Sequence, residues 1–215
     1  MKPGRTFMKR NLIAAVAAGI IVMALGLPAQ AADIVDEWAN VKAPAAPTLK
    51  EVKVDPKTTA LLMLDFMNQN CGKRPRCVAT LPAMQKLLAA ARAAKVPVVY
   101  SIIANSTTAD VMKEVAPQAD EPHVQSGPDK FRNTELEKIL KDKGVTTVIV
   151  TGTAANGAVL QTAIGAALRG MNVIVPVDGL SSVEAYADFS TVYTFTSAPS
   201  LSAKTTLTRS GMIKF

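Results

Sequence analysis

From Thr59–Leu64 (TALLML) the chain is almost wholly apolar and then stops at Asp65, the pattern of a strand covered on both faces of a parallel sheet. The period then changes. Thr80 stands as an N-cap with Pro82 in the first turn, and Met84, Leu87, Leu88 and Ala91 recur at helical spacing on one face. Residues 96–103 (VPVVYSII) return to the strand pattern, with Pro97 at the start, where a missing N–H is tolerated. After a loop-rich stretch, Thr134 and Glu137 have the spacing of a capping box, and the helix they open ends at Gly144. Residues 146–150 (TTVIV) predict a third strand, 152–157 a turn of small residues, and 158–169 a helix stopped by Gly170. A fourth strand over 172–177, a helix over 183–195 and a last strand over Thr205–Thr208 complete the pattern.

Strands joined by helices of this length run parallel with right-handed crossovers. The fold class expected is therefore α/β, a three-layer helix-sheet-helix sandwich. Ligands of such sheets bind beyond the carboxyl ends of the strands. Asp65, the turn 152–158, Asp178 and the loop after Ile103 all fall at that edge.

The N-terminus changes the picture of charge. Lys2, Arg5, Lys9 and Arg10 precede an uncharged apolar run over 12–27, followed by Pro28 and Ala29-Gln30-Ala31. This reads as a signal peptide over 1–31 with an A-x-A cleavage site, since the run is shorter than the roughly 20 residues that span hydrocarbon. Four basic and no acidic residues leave with it, taking the formal charge from +7 to +3. The high pI is thus partly a targeting feature and does not point to nucleic acid. The mature chain is expected in the periplasm or secreted, with no membrane anchor after processing. Residues 32–56, with Ala-Pro-Ala-Ala-Pro and no sustained period, read as an extended arm, and 57–215 as one domain. Trp38 on the arm is a candidate to pin it to a surface, that of a second copy included, so a homo-oligomer is left open.

Candidate chemistry gathers at the strand ends. Asp65 is either a buried acid/base or an acceptor that caps a loop. The turn Gly152-Thr153-Ala154-Ala155-Asn156-Gly157-Ala158 can point several backbone N–H groups at one spot, which suits an oxyanion; its plainer role is a tight strand-to-helix connection. Thr153, Ala154 and Asn156 are its binding candidates. No phosphate loop, G-x-G-x-x-G or G-x-S-x-G motif occurs. His123 is the single histidine, beside Pro122, and reads as an ordinary loop residue; neither a metal site nor another cofactor is expected. Cys71 and Cys77 flank Gly72-Lys73-Arg74-Pro75-Arg76, and after export they are expected as a disulfide, the alternative being Cys71 as a displaced nucleophile.

The blocks LLMLD ending at Asp65, FRNTEL at 131–136, VIVTGTAANGAVLQTA at 148–163 and RGMNVIVPVDG at 169–179 together resemble the isochorismatase-like hydrolase superfamily, over nearly the whole chain from Thr59. The resemblance implies a six-stranded parallel sheet and a site built from Asp, Lys and a nucleophilic Cys. The Asp falls on Asp65 and the Cys on Ala158, which cannot be a nucleophile. The Lys, six residues before Phe131 on the family spacing, falls on Gln125, with Lys130 the nearest alternative amine. A non-proline cis peptide falls at Thr153-Ala154, with the amides of Ala154 and Ala158 as oxyanion donors. Vinyl-ether-cleaving members also carry a tiny residue at the nucleophile position and use the Asp as general acid; Ala158 matches that subgroup and Gln125 does not. The function implied is a hydrolase of the bacterial-type cell envelope. It would act on a small, anionic molecule by Asp-based acid/base chemistry, drawn in by Lys130, Arg132 and the basic loop 73–76. The alternative is a catalytically impaired relative that binds a small molecule or a partner.

Overall fold

The computed structural model describes Met1 and residues 31–215. The expected signal peptide lies almost wholly outside the described residues. Residues 31–44 form a unit by themselves, with a 3-10 turn at Trp38–Asn40 and Asp33 Oδ1 accepting the N–H groups of Val35 (2.7 Å) and Asp36 (3.1 Å).

Residues 45–215 form the second unit. Its centre is a parallel sheet of β2 (Thr59–Leu64), β3 (Val98–Ile102), β4 (His123–Gln125), β5 (Thr147–Thr153), β6 (Asn172–Pro176) and β8 (Thr205–Thr208), in the order β4-β3-β2-β5-β6-β8. A seventh strand, β7 (Leu180–Ser181), runs parallel to β5 at Gly152 and Thr153. The sheet is thus one short strand larger than the six implied by the resemblance. β1 (Val52–Lys53) pairs with β9 (Ile213–Lys214), so the second half of the segment read from the sequence as an arm is built into the domain. Val54 is buried there, and the Lys50 N–H donates to the Leu207 carbonyl.

Alternation along β2 explains why its whole length is apolar. Leu62 and Leu64 enter one core with Val148, Val150, Ala158 and Phe195, while Leu61 and Met63 enter the other with Met84, Leu88, Tyr100 and Ile149. Each leucine so buried contributes about 1.5–3 kcal/mol. α1 (Pro75–Val78) and α2 (Leu81–Ala93) supply the second core; α3 (Leu136–Asp142), α4 (Leu160–Leu168) and α5 (Ala185–Ser197) supply the first. The capping box expected at Thr134 does not form. α3 starts at Leu136, whose N–H bonds Thr134 Oγ1, and Glu137 turns instead to Arg169 Nε at 2.6 Å. His123, expected in a loop, is an exposed residue of edge strand β4.

Tyr100 ties the long β3–β4 connection to the sheet. Its hydroxyl donates to the Val115 carbonyl (2.9 Å) and accepts from Arg92, whose guanidinium also donates to both Glu121 carboxylate oxygens. Burial, aided by the Glu121 charge, pushes the Tyr100 phenol well above its ordinary value. The folded state therefore holds this proton more tightly than the unfolded chain. That stability is fully present below the unfolded tyrosine value of about 10 and is lost as pH rises above it. In an alkaline absorbance titration, Tyr100→Phe should leave the native-state tyrosinate signal unchanged and reduce only the signal that appears on unfolding. A native signal that falls with the substitution would refute the assignment.

Candidate active site

Asp65 ends β2 at φ 56°, a conformation that aspartate tolerates better than most residues. The chain thereby turns off the sheet, and the carboxylate is left at its edge. Asp65 Oδ1 accepts from Ser101 Oγ at 2.7 Å, and Oδ2 accepts from Lys130 Nζ at 2.8 Å. The pair is buried, with Asp65 the more open side: Asp65 is 6% exposed and Lys130 1%. A charged pair this dry persists only when its remaining hydrogen-bonding groups are matched. Lys130 Nζ reaches the Ser126 carbonyl as well, at 3.4 Å.

Four contacts place Lys130. Its N–H donates to Thr162 Oγ1 on α4, and its carbonyl accepts from Thr134 Oγ1. Phe131, one residue on, packs on Gly165 of α4, where an added Cβ would lie 2.8 Å from the ring, and carries the Arg169 guanidinium 4.4 Å above it. Gly165 is thus a contact glycine, its missing side chain filled by the loop that carries the lysine.

The carboxyl end of β5 forms the other wall. Gly152 has φ 142° and lies against Leu64, the residue before Asp65; a Cβ there would stand 2.2 Å from the Leu64 carbonyl oxygen. The Thr153-Ala154 peptide is cis, at the position the resemblance implied. One π-helical turn, Ala155–Val159, follows before α4, where the sequence suggested a helix from Ala158. Ala158, within that turn, is buried at 3% exposure. Thr153 is buried; its hydroxyl donates to the Ser181 carbonyl (3.0 Å) and accepts from Arg74 Nη1 (3.2 Å). Asn156 is exposed and accepts from Ser182 Oγ at 3.2 Å.

Gln125 is not the residue beside Asp65. Its amide donates to the carbonyls of Ile103 (2.7 Å) and Ser106 (3.3 Å), and with Arg132 it lines a separate surface cleft of about 300 Å³. The spacing argument fails because loop 126–130 folds back on α4 and delivers the amine five positions later. Asp178 also turns away, its carboxylate accepting from the N–H and hydroxyl of Ser210. Cys71 and Cys77 are joined in a disulfide, which removes Cys71 as a nucleophile. Among the described residues no group of three His, Cys, Asp or Glu side chains could hold a metal, and no helix is long and apolar enough to cross a membrane. Ser101 was not anticipated; a lone hydroxyl inside the apolar run VVYSII was the available signal.

A family model described as Isochorismatase domain matches residues 59–197. A search of curated proteins gave no significant match. Among solved structures, a cysteine hydrolase from Pseudomonas syringae superposes with TM-score 0.66 at 22% identity, covering 78% of this chain and 95% of that one. The N-carbamoylsarcosine amidase of Thermoplasma acidophilum gives 0.61 at 23%, over 71% and 96%. A nicotinamidase/pyrazinamidase of Bacillus subtilis gives 0.62 at 14%, over 69% and 99%. At these identities the likeness is one of fold.

Proposed function

Because the chain belongs to the isochorismatase domain family, we propose that it hydrolyses a small anionic molecule in the cell envelope, by acid/base chemistry between Asp65 and Lys130 and without a covalent intermediate. The observation that carries this reading is the buried 2.8 Å contact of Lys130 Nζ with Asp65 Oδ2 at the sheet's carboxyl edge. Asp65 accepts both of its side-chain hydrogen bonds, from Ser101 Oγ and Lys130 Nζ, and serves as the general base. It takes a proton from water as the oxygen attacks the substrate's reacting carbon. Lys130 gives a proton to the leaving group. The proton on Asp65 then passes across the same hydrogen bond to Lys130 and restores the pair. Donors at the Ala154 and Ala158 amides would meet the charge that develops on the substrate oxygen. Ala158 supports a direct displacement by water, since its methyl group leaves no atom to acylate.

An envelope location is supported by the basic-apolar-small pattern of residues 1–31 and by the Cys71–Cys77 disulfide, which persists in oxidising compartments. The first test is a screen of amides, esters and vinyl ethers, charged and neutral, with protein purified after expression of the full chain. Turnover is expected in at least one class. Its absence across all of them would overturn the proposal.

A further inference from the structure

The disulfide loop places a guanidinium on the rim of this site that the reaction does not use. Cys71 and Cys77 are both fully buried, so the loop between them is held at both ends while Arg74, in its middle, stays half-buried at the surface. Arg74 Nη1 spends one donor on Thr153 Oγ1 at 3.2 Å. A guanidinium carries five N–H donors, and among the described residues no carboxylate meets this one. Arg76 differs, being paired with Asp188 through Nε at 3.1 Å. On the other side of Thr153 stands Ser181, its partner in the β5–β7 ladder, whose side chain therefore leaves the sheet on the same face as that of Thr153. Ser181 is 1% exposed, and its Oγ has no hydrogen-bond partner. A buried hydroxyl without a partner is uncommon in a folded protein and calls for a ligand or a water.

Two unspent donor groups thus flank one residue of the active-site wall. The Asp65–Lys130 pair is internally neutral, so Arg74 is the cation next to Thr153 that is free to meet a charged ligand. We propose that Arg74 and Ser181 form a subsite that binds a carboxylate of the substrate. The planar fork of the guanidinium matches two carboxylate oxygens, while the serine hydroxyl supplies a third donor. The inference rests on the reading of Asp65 and Lys130 as the reacting pair, since that fixes where the rest of the substrate lies.

The test is direct binding of acetate and benzoate, with acetamide and benzamide as uncharged counterparts, followed by ligand-observed NMR on the purified protein. Wild type should prefer each acid to its amide. Arg74→Gln should weaken the acids by about 10-fold or more, the scale of a hydrogen bond to a charged group. Arg74→Lys should recover part of the loss, and Ser181→Ala should weaken the acids by about 3- to 10-fold. Amide binding should not move in any variant, which reports that the fold is intact. Acids bound no better than amides, or bound equally by Arg74→Gln, would overturn the subsite. Hydrolysis of neutral substrates that depends on Asp65 would survive that failure. Conversely, Arg74-dependent acid binding without any turnover would keep the subsite and remove the reaction.

Discussion

Replacing Lys130 with methionine should destabilise the protein by about 3–5 kcal/mol, because it leaves the buried Asp65 carboxylate with one of its two side-chain donors gone. Methionine is apolar and of similar length, so the loss is electrostatic and not a cavity. The double variant Asp65→Asn/Lys130→Met removes both charges and keeps an acceptor for Ser101 Oγ. Asparagine also tolerates the positive φ at this position. The double variant should therefore regain more than half of the loss, giving a coupling energy of about 2 kcal/mol or more in a double-mutant cycle from urea unfolding. Additive effects would mean that the two groups do not depend on each other.

Gly152→Ala should be comparably severe, for a different reason. The added Cβ would overlap the Leu64 carbonyl at 2.2 Å and the Leu64 Cβ at 2.7 Å, and φ 142° lies outside what an L side chain adopts. Backbone strain of order 1–3 kcal/mol and overpacking of about 1–3 kcal/mol then fall on the last register pair between β2 and β5, Leu64 with Gly152, next to Asp65 and Thr153. Gly127→Ala is the control. A Cβ there meets nothing within 4 Å, and its effect should stay within about 0.5 kcal/mol. Equal stability of the two variants, measured by thermal unfolding, would show that the close approach at Gly152 is not needed.

The contrast between these residues shows what the sequence made legible. A strand buried on both faces announces itself as an apolar run, so 59–64 is read to the residue, while the strand over 147–153 is placed one residue early and its polar end, 151–153, is missed. Strands of two or three residues, such as His123–Gln125 and Leu180–Ser181, carry too little pattern to register, and their pairing is decided by distant chain. Asp65 is legible because a carboxylate ending an apolar strand is unusual. Lys130 is harder: counting back from Phe131 points to Gln125, and the choice is made by contacts with Thr162 and Gly165, more than thirty residues away. The helix start at Thr134 fails similarly, since Arg169 competes for Glu137. Arg74 is legible only as part of the basic loop 73–76 and Ser181 gives no local signal; the β5–β7 ladder and the disulfide bring them to Thr153.

Whether Asp65 and Lys130 are the reacting pair comes down to kcat/KM of wild type and Asp65→Asn on whichever substrate the screen yields. The asparagine fits the same backbone and can still accept from Ser101 Oγ, but it cannot take a proton from water. A loss of at least about 100-fold, carried by kcat with KM little changed, is the expected result for a missing general base. A rate within about twofold of wild type, for a variant that remains folded, would contradict it and return Asp65 to the role of a structural acceptor at the end of its strand.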